Sequence, residues 1–475
     1  MQTVHISILI AYLAVMVAVG AWFSRRRHVS SGDDFMFAGR SLPKPVLIGT
    51  LLATWVGSGT IIGGANFAYT YGPLASIFFL AGTPMGILAL YYVSRKVRSA
   101  SRYTVPELLE ARFGLAARMI AAGITLLAYT GIVAYQFTGG GYIISMITSL
   151  STGEGTLLVA ALVTFLAIGG GLFSVAWTDF LSALVIVFGL VVAIPLVIGD
   201  DVGGFGAYWN DLPETSTTWS GGLSGLELLG YFLPLFLLIL ADQNMYQRLT
   251  AAQDEGTARS STAGFFFSSF LVTVPVALLG SAAVILMPNI NPDTAILSLA
   301  SEHYLPAVIG GLVLAGALAF IVTTGSSFLL SGASNVVYDG FARFSKTELP
   351  DASRLRIHRV TVLAIAATAY VLGKFFPSVL ELQLYSYTVY GVALAPPVLA
   401  VLLWKRATRA GALTCMILGT VVTITWEELD QPLDVNSVLI SLPVALVSLV
   451  GVSLLTKPSD PLEASVEDSA PGARS

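Results

Sequence analysis

The segment Phe320 to Asp339 (FIVTTGSSFLLSGASNVVYD) holds the side chains best placed to do chemistry. It is apolar enough for a bilayer, yet Thr323, Thr324, Ser326 and Ser327 cluster within it. On a helix, positions three and four apart share a face. Thr323 therefore pairs with Ser326 and Ser327, and Thr324 with Ser327. Neutral oxygens converging at one depth of a dry helix are what a small hard cation such as sodium requires. The structural alternative is that Ser and Thr in membrane helices bond across to other helices or back to the preceding turn.

The elements that must position this patch are membrane spans. The chain has 475 residues, 55% hydrophobic and 11% charged, with mean hydropathy +0.80. Soluble domains carry about 25% charged residues, so the chain is an all-α polytopic membrane protein. At ~20 apolar residues per crossing, thirteen transmembrane helices are expected. The first covers about Val4–Ser24, and its lack of a basic leader or cleavage site makes it a span rather than a signal peptide. The others cover 46–69, 74–93, 119–147, 157–172, 175–198, 226–246, 264–286, 307–337, 360–376, 379–403, 412–425 and 438–455. TVPELLEARFG, residues 104–114, reads as a short surface helix capped by Thr104, with Pro106 in its first turn. With the N-terminus placed outside, 23 of the 24 Lys and Arg fall on the inner side and only Lys374 outside. That bias is the positive-inside pattern, and it puts the C-terminus in the cytoplasm. The tail from Lys457 is expected to be disordered.

Other polar or broken positions lie within the spans. In the second span, glycines at 57, 59, 63 and 64 with Thr54, Ser58 and Thr60 make a poor continuous helix. A break near Gly57 would free carbonyls, which a membrane tolerates where backbone is buried in protein or lines a cavity. The alternative is close helix packing through small residues. The seventh span carries Pro234, an interruption five spans later, as an inverted repeat would place it. Asp179 opens the sixth span. It is a functional carboxylate by default, or else a polar anchor at a helix start. Asp242, with Arg248 nearby, is either an inner gating pair or a loop anchor. Tyr129 and Gln136 share a face of the fourth span. Phe232 and Phe236, Tyr385 and Tyr387 are candidate walls, or simple packing. The four histidines have no metal-ligand spacing, and Cys415 stands alone. No nucleophile with a base is evident, so an enzyme is not expected.

These elements, in their order, resemble the sodium/solute symporter family over nearly the whole chain. The resemblance rests on Ser58-Gly59-Thr60-Ile61-Ile62-Gly63 followed by Ala68-Tyr69-Thr70-Tyr71-Gly72, and on the 104–114 segment. Trp177-Thr178-Asp179, the run Asp242, Gln243, Gln247 and Arg248, the pair Thr323–Thr324, and Asp339 complete it. Ser182 stands where the family usually has Gln, and Trp55 where some members have an acid. The resemblance implies the LeuT-like fold, an inverted five-plus-five repeat with one extra N-terminal helix and two C-terminal ones. Residues 1–44 would hold the extra helix and an inner loop, 45–200 the first repeat, 201–225 an outer loop, 226–405 the second repeat, 406–456 the last two helices, and 457–475 the tail. It also implies a sodium (Na+) site made by Thr323 and Thr324 with the carbonyls of Phe320, Ala53 and Val56. A second sodium would be held by Asp179, Ser326 and Ser327.

The function expected on this basis is sodium-coupled uptake of a small organic solute by alternating access, at the cell membrane. The solute would bind near Gly57, Ser58 and Thr60, walled by Tyr129, Gln136, Phe232, Phe236 and Tyr385. The middle of that site holds no evident Lys, Arg or Glu, which favours an amino acid or monocarboxylate, with sugars next. Proton coupling through Asp179 is the alternative, and a transporter-like sensor is another. For the sensor no room is expected after the last span. The partners expected are the solute, sodium and the bilayer, with no nucleic acid and no obligate protein partner.

Overall fold

A computed structural model describes residues 2–23, 38–100, 104–169, 172–344, 351–376 and 378–457. The expected tail beyond Lys457 and the Arg25–Arg27 cluster lie outside these residues. The described chain is helical, with no ladder beyond one isolated bridge between Leu42 and Ala252. A bilayer enforces this, because unpaired backbone groups in hydrocarbon cost several kcal/mol each, roughly, and a helix satisfies them within one segment.

Nine helices of the described residues are long and apolar enough to cross a membrane, and a bent pair makes a tenth. Three more helices, Gln2–Phe23, Thr152–Gly169 and Asp351–Leu372, stand where the other expected spans lie, without a described stretch as long and apolar as those ten. In chain order these are α1 Gln2–Phe23, α2a Lys44–Trp55 with α2b Gly59–Tyr71, α3 Pro73–Ala100, α4 Leu115–Ile147, α5 Thr152–Gly169 and α6 Leu172–Ile194. Then follow α7a Gly225–Ala241 with α7b Gln243–Thr250, α8 Glu255–Leu286, α9 Ala307–Asn335, α10 Asp351–Leu372, α11 Val379–Leu403, α12 Arg409–Glu428 and α13 Ser437–Leu455.

Packing partners repeat under a shift of five helices. Helix α2a lies on α6, as α7a lies on α11. Helix α2b lies on α8, as α7a lies on α3; α6 lies on α9, as α11 lies on α4. The pairs α3–α8 and α4–α9 map onto themselves. That is the contact pattern of two inverted five-helix units. Helix α1 covers α6 and α9, while α12 and α13 pair with each other against α11.

Both first helices of the two units are broken. Helix α2a ends at Trp55, Val56 is extended (φ −78°, ψ 113°), and a π-helical turn over Gly59–Gly63 starts α2b at 62° to α2a. Pro234, expected to interrupt the seventh span, sits inside the unbroken α7a. The break falls instead at Asp242, which is extended (φ −62°, ψ 117°) and caps α7b by accepting from Asn244 N. Proline removes one backbone bond, which a long helix absorbs. Asp242 supplies a competing acceptor that starts a new helix.

The loop between α6 and α7a folds back onto the core. Tyr208 Oη lies 2.6 Å from Ser281 Oγ of α8. Gly72, at φ +87°, faces the Ser216 carbonyl so closely that a Cβ would lie 2.2 Å from it.

Candidate functional site

The α2 break and the middle of α9 meet. Thr324 Oγ1 lies 3.1 Å from the Ala53 carbonyl oxygen and 3.2 Å from that of Val56. These are carbonyls that the α2 break withholds from a continuous helix. A threonine hydroxyl has one proton, so it can donate to only one of them. Three oxygens thus converge with one proton among them, and each such group carries a lone pair suited to a hard cation. Thr323 is turned back, its Oγ1 3.3 Å from the Phe320 carbonyl of its own helix. A rotation about its χ1 would be needed to add its oxygen to the nest.

One turn toward the basic face, Arg248 of α7b enters the same region. Its Nη2 donates to Asp179 Oδ2 at 3.2 Å and to Ser327 Oγ at 3.4 Å, and its Nε donates to Thr50 Oγ1 at 3.0 Å. Thr50 Oγ1 in turn donates to Asp179 Oδ2 at 2.7 Å. Both side chains of the ion pair are 2% exposed. The sequence-near pairing of Arg248 with Asp242 is not the one formed. Ser326 Oγ donates to the Thr323 carbonyl at 3.0 Å. In this conformation a guanidinium bridges Asp179 and Ser327, two of the three residues expected to hold a second ion.

The α2 break is also where amides crowd bare backbone. Gln136 of α4 accepts from Ser58 N through Oε1 at 2.9 Å, and a Cβ on Gly57 would lie 2.6 Å from its Nε2. Gln383 of α11 presses on the other side: a Cβ on Gly59 would lie 2.7 Å from its Cδ, and one on Gly63 2.5 Å from its Oε1. Side-chain amides occupy the Cβ space at these glycines, so a larger residue would have to displace Gln136 or Gln383. Gln383 Oε1 and Ser58 Oγ are buried with no partner. A buried polar atom without a partner costs about 1–3 kcal/mol, and each of these two has the capacity for one more hydrogen bond. Thr60 Oγ1 donates to the Trp55 carbonyl at 3.0 Å and spans the break.

Tyr129 holds the second break. Its hydroxyl donates to Asp242 Oδ1 at 2.8 Å and accepts from Gln243 N at 3.1 Å, and its ring stacks on Tyr390. Tyr129→Phe removes both bonds and leaves a buried carboxylate and amide short of partners. We expect a stability loss of about 1–3 kcal/mol, read as an earlier thermal unfolding midpoint.

The aromatic candidates separate. Phe232 and Phe236 stack on each other, and Phe232 meets the exposed Phe78 of α3, so this pair faces the α3 flank and not the α2 break. Tyr385 packs on Phe376 and lines a vestibule of about 850 Å³. Tyr71, Tyr231, Leu380 and Leu384 line the same vestibule, as do Glu227, Glu381, Glu427 and Asp430. Tyr387, one turn deeper than Gln383, accepts from Tyr135 Oη at 3.0 Å.

The opposite, basic face is zipped shut. Arg118 bonds Asp339, Glu110 and the Tyr338 carbonyl. Thr104 Oγ1 donates to Asp339 Oδ1 at 3.0 Å, Gln243 Nε2 donates to Asn335 Oδ1 at 2.8 Å, and Ser331 Oγ donates to Asn244 Oδ1 at 2.6 Å. A vestibule thus stands on one face, with the α2 break and both amides buried beneath it, and the other face is bridged by these bonds.

Three polar residues of the site carry no expectation from the sequence, Gln383, Thr50 and Asn244, and Arg248, expected beside Asp242, pairs with Asp179 instead. An amide in the apolar run LELQLYSY carries the same signal that picked out Gln136, so Gln383 was findable. Thr50 and Asn244 gain significance only from their partners.

The model of the sodium:solute symporter family matches residues 35–419. The chain belongs to that family. Among its relatives, the high-affinity proline transporter PutP of Bacillus subtilis is 26% identical over 93% of this chain and 96% of its own length. The sodium/proline symporter of Escherichia coli is 26% identical over 88% and 86%. A Na+-coupled sialic acid symporter, solved in a substrate-bound outward-open state, superposes with a TM-score of 0.81 at 19% identity, covering 97% of this chain and 99% of that one. The inward-facing structure of Mhp1 superposes with a TM-score of 0.60 at 13% identity over 88% and 92%. The fold is that of the LeuT-like transporters, and the chain is a membrane transporter rather than an enzyme.

Proposed function

We propose that this symporter imports a small zwitterionic or carboxylate solute, an amino acid by preference, together with sodium. The observation that carries this is Thr324 Oγ1 between the Ala53 and Val56 carbonyls, which joins α9 to the α2 break. Sodium among these oxygens ties the two units together and favours the conformation open to the vestibule. The solute enters through the vestibule, lodges beside the Gly57–Gly63 stretch, and exchanges hydrogen bonds with the amides of Gln136 and Gln383. A charge-poor centre suits a net-neutral zwitterion, and the naming of relatives as proline transporters points the same way. Ser326, Ser327 and Asp179 would take a second sodium once Arg248 withdraws. The drive is about 2.3 kcal/mol per charge per 100 mV, plus the sodium gradient. The basic face is read as cytoplasmic, with the N-terminus outside, in the plasma membrane.

The test is uptake of labelled L-proline, with other amino acids and monocarboxylates as competitors, into proteoliposomes under a sodium gradient. We expect uptake in sodium and none in potassium at the same membrane potential. Gln383→Leu should raise the half-saturating solute concentration roughly 10- to 100-fold, the loss of one hydrogen bond to a charged group. Uptake driven equally by a proton gradient without sodium would overturn the coupling.

A further inference from the structure

Every fourth residue of α9 and its last turn, from the ion site down to the basic face, is polar: Thr323, Ser327, Ser331, Asn335 and Asp339. At 3.6 residues per turn such a series stays close to one face. The last four are at most 8% exposed. Each of these four meets a polar partner from another segment. Arg248 donates to Ser327, Ser331 donates to Asn244, Gln243 donates to Asn335, and Arg118 and Thr104 both donate to Asp339. The circuit closes on itself, because Gln243 Oε1 accepts from Val105 N, the neighbour of Thr104. Polar contacts alone are ordinary glue between membrane helices. Two further features are not.

First, the polar face is not fully packed. A void of about 20 Å³ lies beside Arg248, Ser327 and Ser331, and one of about 10 Å³ lies beside Gln243 and Thr104. Gln247 borders both, so the two stand in line along the rungs. Second, bonding capacity is left over. Asn244 is 1% exposed and borders the larger void, and its Nδ2 has no partner among the described residues. Asp339 accepts both of its bonds on Oδ1, while Oδ2, equally buried, has no partner among the described residues. A bare carboxylate oxygen inside a span is costly, and ionisable groups there mark ion pathways.

We propose that this face of α9 is the exit lane for sodium and that Asp339 is the last side chain to hold the ion. The inference rests on the sodium reading above. Below the level of Ser327 the ion passes neutral oxygens at Ser331 and Asn335. Each is a weak ligand, as release requires: binding must be favourable enough to enter and weak enough to leave. The bare Oδ2 of Asp339 receives the ion at the end. Arg118 covers Asp339 while the basic face is shut. Arrival of the ion and withdrawal of Arg118 are therefore linked, since one cation replaces another at the same carboxylate.

The test uses membrane vesicles from cells producing the full chain, preloaded with unlabelled sodium and given radioactive sodium, with and without L-proline. Right-side-out vesicles present the vestibule to the label, and inverted vesicles present the basic face. Vesicles lacking the protein give the background. The half-saturating sodium concentration is read at each face. We expect Asp339→Asn to raise it about tenfold at the basic face, the loss of one charged ligand, and to change it less at the vestibule. Arg118→Gln unties the same closure but frees the carboxylate, so it should lower the basic-face value. A residue that only held the face shut would lower that value in both variants, because each unties Arg118 from Asp339. Ser331→Ala removes one rung without touching an ion pair and should raise the basic-face value by less; it keeps the test open if Asp339→Asn fails to fold. Values that fall together in Asp339→Asn and Arg118→Gln would overturn the lane, as would unchanged values in Asp339→Asn or in Ser331→Ala. No saturable entry in the wild type at either face would remove sodium itself, and with it the reading on which the lane rests.

Discussion

Thr324→Val should weaken the stabilisation of the purified protein by sodium, moving it to 10- to 100-fold higher sodium, roughly. The substitution keeps the branched shape and removes the one oxygen that faces both the Ala53 and Val56 carbonyls. A contact between a neutral oxygen and an ion is worth about as much as a hydrogen bond to a charged group, roughly 1.5–3 kcal/mol. At 1.4 kcal/mol per decade, the half-saturating sodium concentration should rise about 10- to 100-fold, in thermal shift and in uptake alike. Thr323→Val should do less in thermal shift, because in this conformation its Oγ1 turns back to the Phe320 carbonyl. Equal losses for both would mean that sodium binding rotates Thr323 into the nest. No loss for Thr324→Val would remove the ion from the α2–α9 junction altogether.

Arg248→Gln should open the basic face. Arg248 and Asp179 form a buried pair, and deleting one partner of such a pair costs about 3–5 kcal/mol because a lone charge is left in a dry site. The same guanidinium also holds Thr50 of α2a and Ser327 of α9. Its removal unties three helices at once. Asp179→Asn should have a similar effect, and the double variant less than the sum, since two amides can pair without charge. Chemical labelling reads the result cleanly, because the one cysteine, Cys415, is buried in α12. Ser334 borders a void of about 20 Å³ beside Arg248, room for about one water molecule. Ser334→Cys should resist a bulky aqueous maleimide in the wild-type background. It should react readily once Arg248→Gln is added. Equal labelling in both backgrounds would show that Arg248 is not part of the closure.

A pair such as this also has a functional reading. The guanidinium already satisfies Asp179 and Ser327 while the basic face is shut. An ion that arrives at Ser326, Ser327 and Asp179 must displace it. Occupation of that second position and release of the inner closure would then be one event, which couples ion stoichiometry to the gate. Measuring charge moved per solute in wild type and in Arg248→Lys would separate one ion from two. A lysine keeps the charge but loses the planar fork that spans Thr50, Asp179 and Ser327 at once.

Much of this was readable along the chain. Thirteen crossings are expected from apolar length alone; nine described helices, or ten with the bent pair, are long and apolar enough to cross, and a helix stands at each of the other three places. The hydroxyl cluster at 323–327 stood out because polar atoms in an apolar run need a reason. The break near Gly57 followed from four glycines in a span that otherwise had no cause to bend. Other signals misled. Pro234 drew attention that belonged to Asp242, and Arg248 seemed placed for Asp242 when its partner, Asp179, lies 69 positions earlier. Phe232 and Phe236 have the right residue type for a site wall but point toward α3. Gln383, an amide in an apolar run, carries the same signal as Gln136.

The division has a physical basis. A bilayer taxes every unpaired backbone group, so which segments cross it, and where a crossing is weakened by glycine, are properties of local composition. Helical periodicity likewise fixes which residues share a face, and hence that Thr324 and Ser327 look the same way. Which helix that face meets is set by the packing of all the spans together. Only the assembled fold brought Thr324 to the Ala53 and Val56 carbonyls, Arg248 to Asp179, and Gln383 against Gly59 and Gly63. Those encounters depend on the angle and depth at which distant helices cross, and no spacing within one helix encodes them.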